Sequence, residues 1–244
     1  MQTSVLRAEF IKLRRAPIWV AFVALPIAAA AIGTFNYQSN LEILQNGWFD
    51  LWTQHTLFEG MFFLHALVGA SCSWLMGLEH RGTNWNRLLT SPTSVARMLA
   101  AKLMVGWFML AVALTAVGAL FVGCGRLVGL SGLPGTEYAW WLALAWVGGV
   151  ASVACQLLVS LVVRNFGAPV GIAVIGGLTG FLLNAYGNGL MCPYALLVMA
   201  LNSNGHGAVS VEQVPSFLAM TFIFTALALG LATLLVSTRD VCTS

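Results

Sequence analysis

Glu79-His-Arg-Gly-Thr-Asn-Trp-Asn-Arg-Leu-Leu-Thr-Ser-Pro-Thr-Ser-Val-Ala-Arg-Met-Leu-Ala-Ala-Lys102 is a polar, basic stretch between two long apolar runs. It holds four of the chain's eleven Lys and Arg residues: Arg81, Arg87, Arg97 and Lys102. Trp85, Leu88 and Leu89 stand at i, i+3 and i+4, which predicts a short amphipathic helix ending near Leu89. Arg81, Asn84, Asn86 and Arg87 fill its other face. Thr90-Ser91-Pro92 is a helix start, a hydroxyl cap followed by Pro at the first helical position. Two readings stand side by side, a solvated basic loop and a handle for a soluble partner. Glu79 closes the apolar run before the stretch, and Arg97 and Lys102 open the one after it. Antiparallel neighbours with a short connection bring these charges within reach, so an ion pair among Glu79, Arg97 and Lys102 is expected.

Working outward, the chain has the composition of an integral membrane protein. Of its 244 residues 59% are hydrophobic and 8% charged, where soluble domains carry about 25% charged residues. Mean hydropathy is +0.86. At roughly 20 residues per span, six or seven spans leave no room for a nucleotide-binding domain, and no G-x-x-x-x-G-K-[ST] occurs. The net charge of +3 is accounted for by basic loops and does not indicate nucleic acid. Five scattered cysteines (Cys72, Cys124, Cys155, Cys192, Cys242) contain no C-x-x-C pair, so they read as small apolar thiols. Only Cys124 and Cys192 are placed to pair.

The expected class is an all-α membrane protein with six spans, at about 18–35, 57–78, 98–122, 140–163, 168–184 and 215–236. Residues 1–17 carry Arg7, Lys12, Arg14 and Arg15 against Glu9, with Leu6, Phe10 and Leu13 on one side. That pattern predicts an amphipathic helix at the inner headgroups. Its basic start imitates a secretory signal, but the first span is needed for the charge layout below, so no cleavage is expected. Residues 36–56 read as an outer loop whose Trp48, Phe49 and Trp52 suit an interfacial belt. Residues 190–201 are apolar but cover about 18 Å of a core roughly 30 Å thick, and read as re-entrant or interfacial. Gly167, Gly171, Gly176 and Gly180 form two G-x-x-x-G pairs that permit close helix contact, within the chain or across a dimer.

With the N-terminus inside, ten Lys and Arg residues fall in cytoplasmic segments and only Arg126 in an outer loop. The positive-inside rule therefore puts both termini in the cytoplasm.

Catalytic chemistry is missing. His55, His65, His80 and His206 are isolated, and neither H-E-x-x-H nor G-x-S-x-G occurs. No metal site is expected. The polar residues that stand out inside spans are Glu59, His65, Gln156 and, less deeply, Asn184. Such groups are costly and often functional, here as candidates for a translocation path. Each also has a plainer reading. Twenty residues outward from Glu79 puts Glu59 at the outer boundary, where water solvates it, and His65 and Gln156 can simply bond a neighbouring helix.

The order of features resembles the type-2 ABC exporter permeases: a basic N-terminal helix, six spans, no large soluble domain, and a coupling helix between spans two and three. The loop elements of that family stand here as Glu79, Gly82-Thr83, Leu89, Ser91-Pro92 and Lys102, and residues 7–15 are similar to its usual opening. Gly47-Trp-Phe-Asp-Leu-Trp52 together with residues 79–89 is most similar to the lantibiotic-immunity permeases. The resemblance implies separate ATPase subunits that use ATP and Mg, so that no cofactor is bound by this chain. It also implies a second permease, identical or homologous, forming a dimeric core in a bacterial cytoplasmic membrane. The substrate would be an amphipathic peptide, exported for self-protection. Arg81, Trp85, Arg87, Leu88 and Leu89 become the ATPase-coupling residues. Other antibiotic or lipid exporters of the class, and a non-transport sensor or assembly protein, remain alternatives.

Overall fold

Long apolar runs broken by Pro, Gly and charge fold into helices whose ends those residues set. A computed structural model describes residues 2–80, 93–203, 205 and 208–238, with residues 2–4 and 15 described by their backbone alone. The predicted coupling helix, and with it Arg81, Trp85, Arg87, Leu88 and Leu89, lies outside the described residues. Helix α1 (Gln2–Lys12) runs into a single 3-10 turn, Leu13–Arg15. The chain then turns at Ala16, which is extended (φ −74°, ψ 128°) because Pro17 disfavours helical backbone in the residue before it. Trp19 Nε1 donates to the Leu13 carbonyl at 2.8 Å and fastens this corner. Helix α2 (Trp19–Ser39) buries one stripe, Phe22, Pro26, Ala29, Ala30, Gly33 and Tyr37, and leaves the rest partly or fully exposed. Gly33 is required: a Cβ there would lie 2.8 Å from the Gln54 carbonyl oxygen on the next helix.

Helix α3 runs unbroken from Trp48 to Gly77, with a π-helical stretch at Glu59–Phe63. The helix thus starts nine residues before the expected span at 57. Residues 48–56 are packed helix rather than outer loop, and Trp52 is not a headgroup anchor. Trp52 is fully buried, donates Nε1–H to the Leu201 carbonyl at 2.9 Å, and packs edge-on to Phe121 at 5.0 Å. The polar residues that lower the hydropathy of this segment find partners on α2. The Thr34 hydroxyl pairs with His55 Nε2 at 2.9 Å, and Asn36 Nδ2 donates to Gln54 Oε1 at 2.5 Å.

The chain continues through α4 (Val95–Leu127), α5 (Thr136–Val162), α6 (Gly167–Ala185), α7 (Pro193–Leu201) and α8 (Val214–Thr238). α5 sits at the centre, against α3, α4, α7 and α8. Among the described residues six helices are long and apolar enough to cross a membrane, and α7 is not one of them. α7 opens on Pro193 after an extended Cys192 and stops at Asn202, which adopts the left-handed conformation (φ 51°). Ala195 to Leu201 are all buried, so α7 is enclosed by the bundle instead of lying on its surface. One G-x-x-x-G pair is used within the chain. A Cβ on Gly176 would meet the Tyr194 ring at 2.8 Å, and one on Gly180 would meet the Ala195 backbone nitrogen at 2.7 Å. Gly167 and Gly171 face open space. Cys72, Cys124, Cys155 and Cys192 are free thiols, so Cys124 and Cys192 are not bonded.

Candidate functional site

The end of α3, the start of α4 and the helix α1 converge on four charges. Lys102 Nζ, fully buried, donates to Glu79 Oε1 at 2.7 Å, to Glu9 Oε2 at 3.0 Å and to the Leu75 carbonyl at 3.1 Å. An ammonium has three donors, and all three are used. The Leu75 carbonyl is available because the last turn of α3 tightens, the Glu79 N–H going to Met76 O at 2.9 Å. Lys12 Nζ completes the cluster at 2.6 Å from both Glu9 Oε1 and Glu79 Oε1. Two carboxylates and two ammoniums thus alternate, and the cluster is neutral. Glu9 and Glu79 are 4% and 3% exposed. Pairing alone makes such burial tolerable, because a single desolvated charge costs several kcal/mol.

The two titrating groups outside the spans respond to this geometry. Burial by itself raises the Glu79 carboxyl, but the Lys102 ammonium and Lys12 outweigh it and hold Glu79 below its ordinary value of 4.5. Burial lowers Lys12, and hydrogen bonds to Glu79 and Glu9 overcome that and lift it above 10.5. Beside the cluster, His80 Nε2 donates to the Ser160 carbonyl at 3.1 Å, tying the end of α3 to α5.

Of the charges expected at this mouth, Glu79 and Lys102 are brought together, while Arg97 is exposed. Glu9 and Lys12 belong to the cluster and were not singled out in the sequence. Their only trace there was an acid and a base at i and i+3 on α1.

The four polar residues inside spans separate into different settings. His65 Nε2 donates to the Tyr194 carbonyl at 3.1 Å, and the Tyr194 hydroxyl donates to Gln156 Oε1 at 2.8 Å. Gln156 Nε2 reaches the Pro169 carbonyl. His65 and Gln156 therefore join α3, α5 and α6 through α7, and Tyr194 is the member that the sequence reading passed over. Glu59 sits at the start of the π-helical stretch, 2% exposed, and its Oε2 has no hydrogen-bond partner among the described residues. Its side chain is enclosed by the protein rather than displayed on the surface of the bundle. Beside it, Gly60 makes room for Ser203, whose Oγ would lie 2.6 Å from a Cβ at position 60. Ser203 Oγ and Asn202 Oδ1 are likewise buried without partners among the described residues. Asn184 is half-buried and lines a separate cavity of about 280 Å³ with Gly189, Met199, Ser210 and Gln213.

Among the described residues no group of His, Cys, Asp and Glu side chains could hold a metal ion. The geometry supplies a charge-locked junction of three helices at one end and buried polar contacts elsewhere. No curated protein and no solved structure matches the chain. Residues 5–180, well over half of the 244, match the family model described as ABC-2 family transporter protein. The chain therefore belongs to the ABC-2 transporter family, as a multi-pass membrane permease of an ABC transporter.

Proposed function

We propose that this permease serves an ATP-driven exporter that expels a lantibiotic or similar amphipathic antimicrobial peptide from a bacterial cytoplasmic membrane, protecting the cell that carries it. Two ATPase subunits hydrolyse ATP and Mg stays with them. A second permease, identical or homologous, completes the membrane core, and both termini and the charge cluster face the cytoplasm. The observation that carries the coupling part of this reading is the placement of Glu79 and Lys102. They are the two ends of the 79–102 stretch, and both are locked to α1 through Glu9 and Lys12. A push on that stretch from an ATPase reaches α1, α3 and α4 together instead of dissipating in a loose loop.

In this reading Trp85, Leu88 and Leu89 enter a groove on the ATPase, and Arg81 and Arg87 flank and orient the contact. Trp and Arg are the residue types that most often dominate such interfaces. Glu59 is a better candidate for the substrate path than His65 and Gln156, which are engaged in helix packing, and Asn184 stands as a candidate because it lines a cavity. The similarity of residues 47–52 and 79–89 to lantibiotic-immunity permeases supports the substrate class.

Trp85→Asp tests the coupling role. It removes aromatic area and must itself be desolvated, so ~2–4 kcal/mol of ATPase binding should be lost while the permease still inserts. Co-purification of the ATPase and peptide resistance in cells are the readouts, and wild-type values of both would end the coupling reading. Cysteine labelling tests orientation, with residues 45, 130 and 208 expected outside and residue 86 inside.

A further inference from the structure

We propose that the trough between α4 and α5 is a phospholipid site, with an acyl chain in the trough and the phosphate at Arg126. The trough has a volume of about 590 Å³ and opens on the outer surface of the bundle. Small side chains hollow it out: Ala111, Gly118 and Ala119 on α4, Ala139 and Ala143 on α5. Leu142 closes its back, reaching within 2.9 Å of where a Cβ on Gly118 would stand.

One end is shut by an aromatic plug. Trp107 and Trp146 stack with centroids 4.3 Å apart and planes 11° apart. Each indole N–H donates to the other residue's carbonyl, at 2.7 and 3.1 Å. The plug is therefore a rigid floor, and Trp146 forms part of the lining. The other end opens toward Arg126, which stands one helical turn beyond the lining residue Val122 on the same face. Arg126 is exposed and has no carboxylate partner among the described residues.

Dimensions choose the occupant. From Ala111 to Val122 the trough runs about 16 Å at 1.5 Å per residue, close to half of a hydrocarbon core roughly 30 Å thick. Spread over that length, its volume gives a cross-section of about 37 Å². That width suits one or two extended acyl chains lying along the groove, and the cation at its end, Arg126, favours a phosphate headgroup over an apolar helix. Arg126 then lies where the phosphate of a lipid in that leaflet would be, the leaflet remote from Lys102. A guanidinium is the natural partner for phosphate oxygens.

The test uses the purified permease in detergent, titrated with phosphatidylglycerol or phosphatidylcholine brominated at the chain ends. Saturable quenching of tryptophan fluorescence is expected, displaced by unbrominated lipid and reduced in the Trp107→Phe/Trp146→Phe variant. Bromines placed near the ester linkage should quench this pair less than bromines at the chain end. Arg126→Gln should raise the half-quenching lipid fraction roughly fivefold, the effect of one basic side chain beside an anionic headgroup. Ala119→Leu/Ala143→Leu, which fills the trough without touching the plug, should abolish saturation while the protein elutes as wild type. Linear quenching matched by a brominated detergent would mean simple partitioning and overturn the site. So would an unchanged midpoint in Arg126→Gln, or efficient cross-linking of Ala119→Cys between copies in native membranes, which would assign the trough to a second permease.

Discussion

Two regions of α3 bury acids in opposite ways. At its C-terminal end Glu79 accepts from Lys102 and Lys12, and Glu9 joins the same ammoniums from α1. Twenty residues earlier, Glu59 is buried as deeply, yet one oxygen has no partner among the described residues, and Ser203 and Asn202 are in the same condition. The first region is saturated: three donors on Lys102 meet three acceptors. Moving any helix of that junction separates charges in a medium that solvates them poorly. In the second, side chains leave hydrogen-bonding capacity unused among the described residues, beside a π-helical stretch of the kind that recurs at functional sites. The contrast assigns rigidity to the junction and adaptability to the bulge.

The largest expected effect comes from breaking the junction. Lys102→Met leaves two buried carboxylates facing one lysine and should cost ~3–5 kcal/mol, read as a lower thermal midpoint of the detergent-purified protein. Glu79→Gln/Lys102→Met should cost less than Lys102→Met alone, because the double change leaves the neutral Glu9–Lys12 pair. Additive losses would show that the four charges do not act as a unit. At the bulge, Gly60→Val drives a side chain into Ser203 and should cost ~1–3 kcal/mol by overpacking, with Gly60→Val/Ser203→Ala recovering part of it. No recovery would mean that Gly60 is not there to admit Ser203.

Lys12 is partly exposed, its side chain 29% accessible, so Lys12→Met should cost only about 1 kcal/mol. The pH dependence follows the same pairings. Glu79 is held below 4.5, so its contribution is present above that value and is lost as pH falls through the depressed one. Lys12 is raised above 10.5, so its contribution is present below 10.5 and is lost as pH rises through the raised value. Stability measured against pH should therefore show Glu79→Gln and wild type converging in acid, and a constant gap would remove Glu79 from the cluster's energetics. Smallest of all is Glu59→Gln, expected to change the thermal midpoint by less than about 1 kcal/mol equivalent, since its Oε2 has no partner to lose. A loss as large as that of Lys102→Met would show that Glu59 is paired and collapse the comparison.

Much of the architecture was legible from composition and period. Apolar runs of span length, separated by Gly, Pro and charge, predict six crossing helices, and residues 190–201 are too short to be a seventh. These are sums over neighbouring residues, and a helix satisfies its own backbone, so local sequence suffices. The start of α3 was misplaced because Asp50, Gln54, His55 and Thr56 make residues 48–56 look like loop. They are helical because Thr34 and Asn36 on α2 supply partners and Gly33 lets the helices touch, and no hydropathy window contains both sides of that seam. α7 was short in sequence, but only the folded bundle shows it enclosed by protein. At the junction, Glu79 and Lys102 could be paired on paper because one short connection joins them. Glu9 and Lys12 could not, being some seventy residues from Glu79 along the chain. Charge type and spacing are written in the sequence. Which charges share a buried site depends on how α1 folds back against α4 after the turn at Ala16 and Pro17, and that is a property of the packed helices alone.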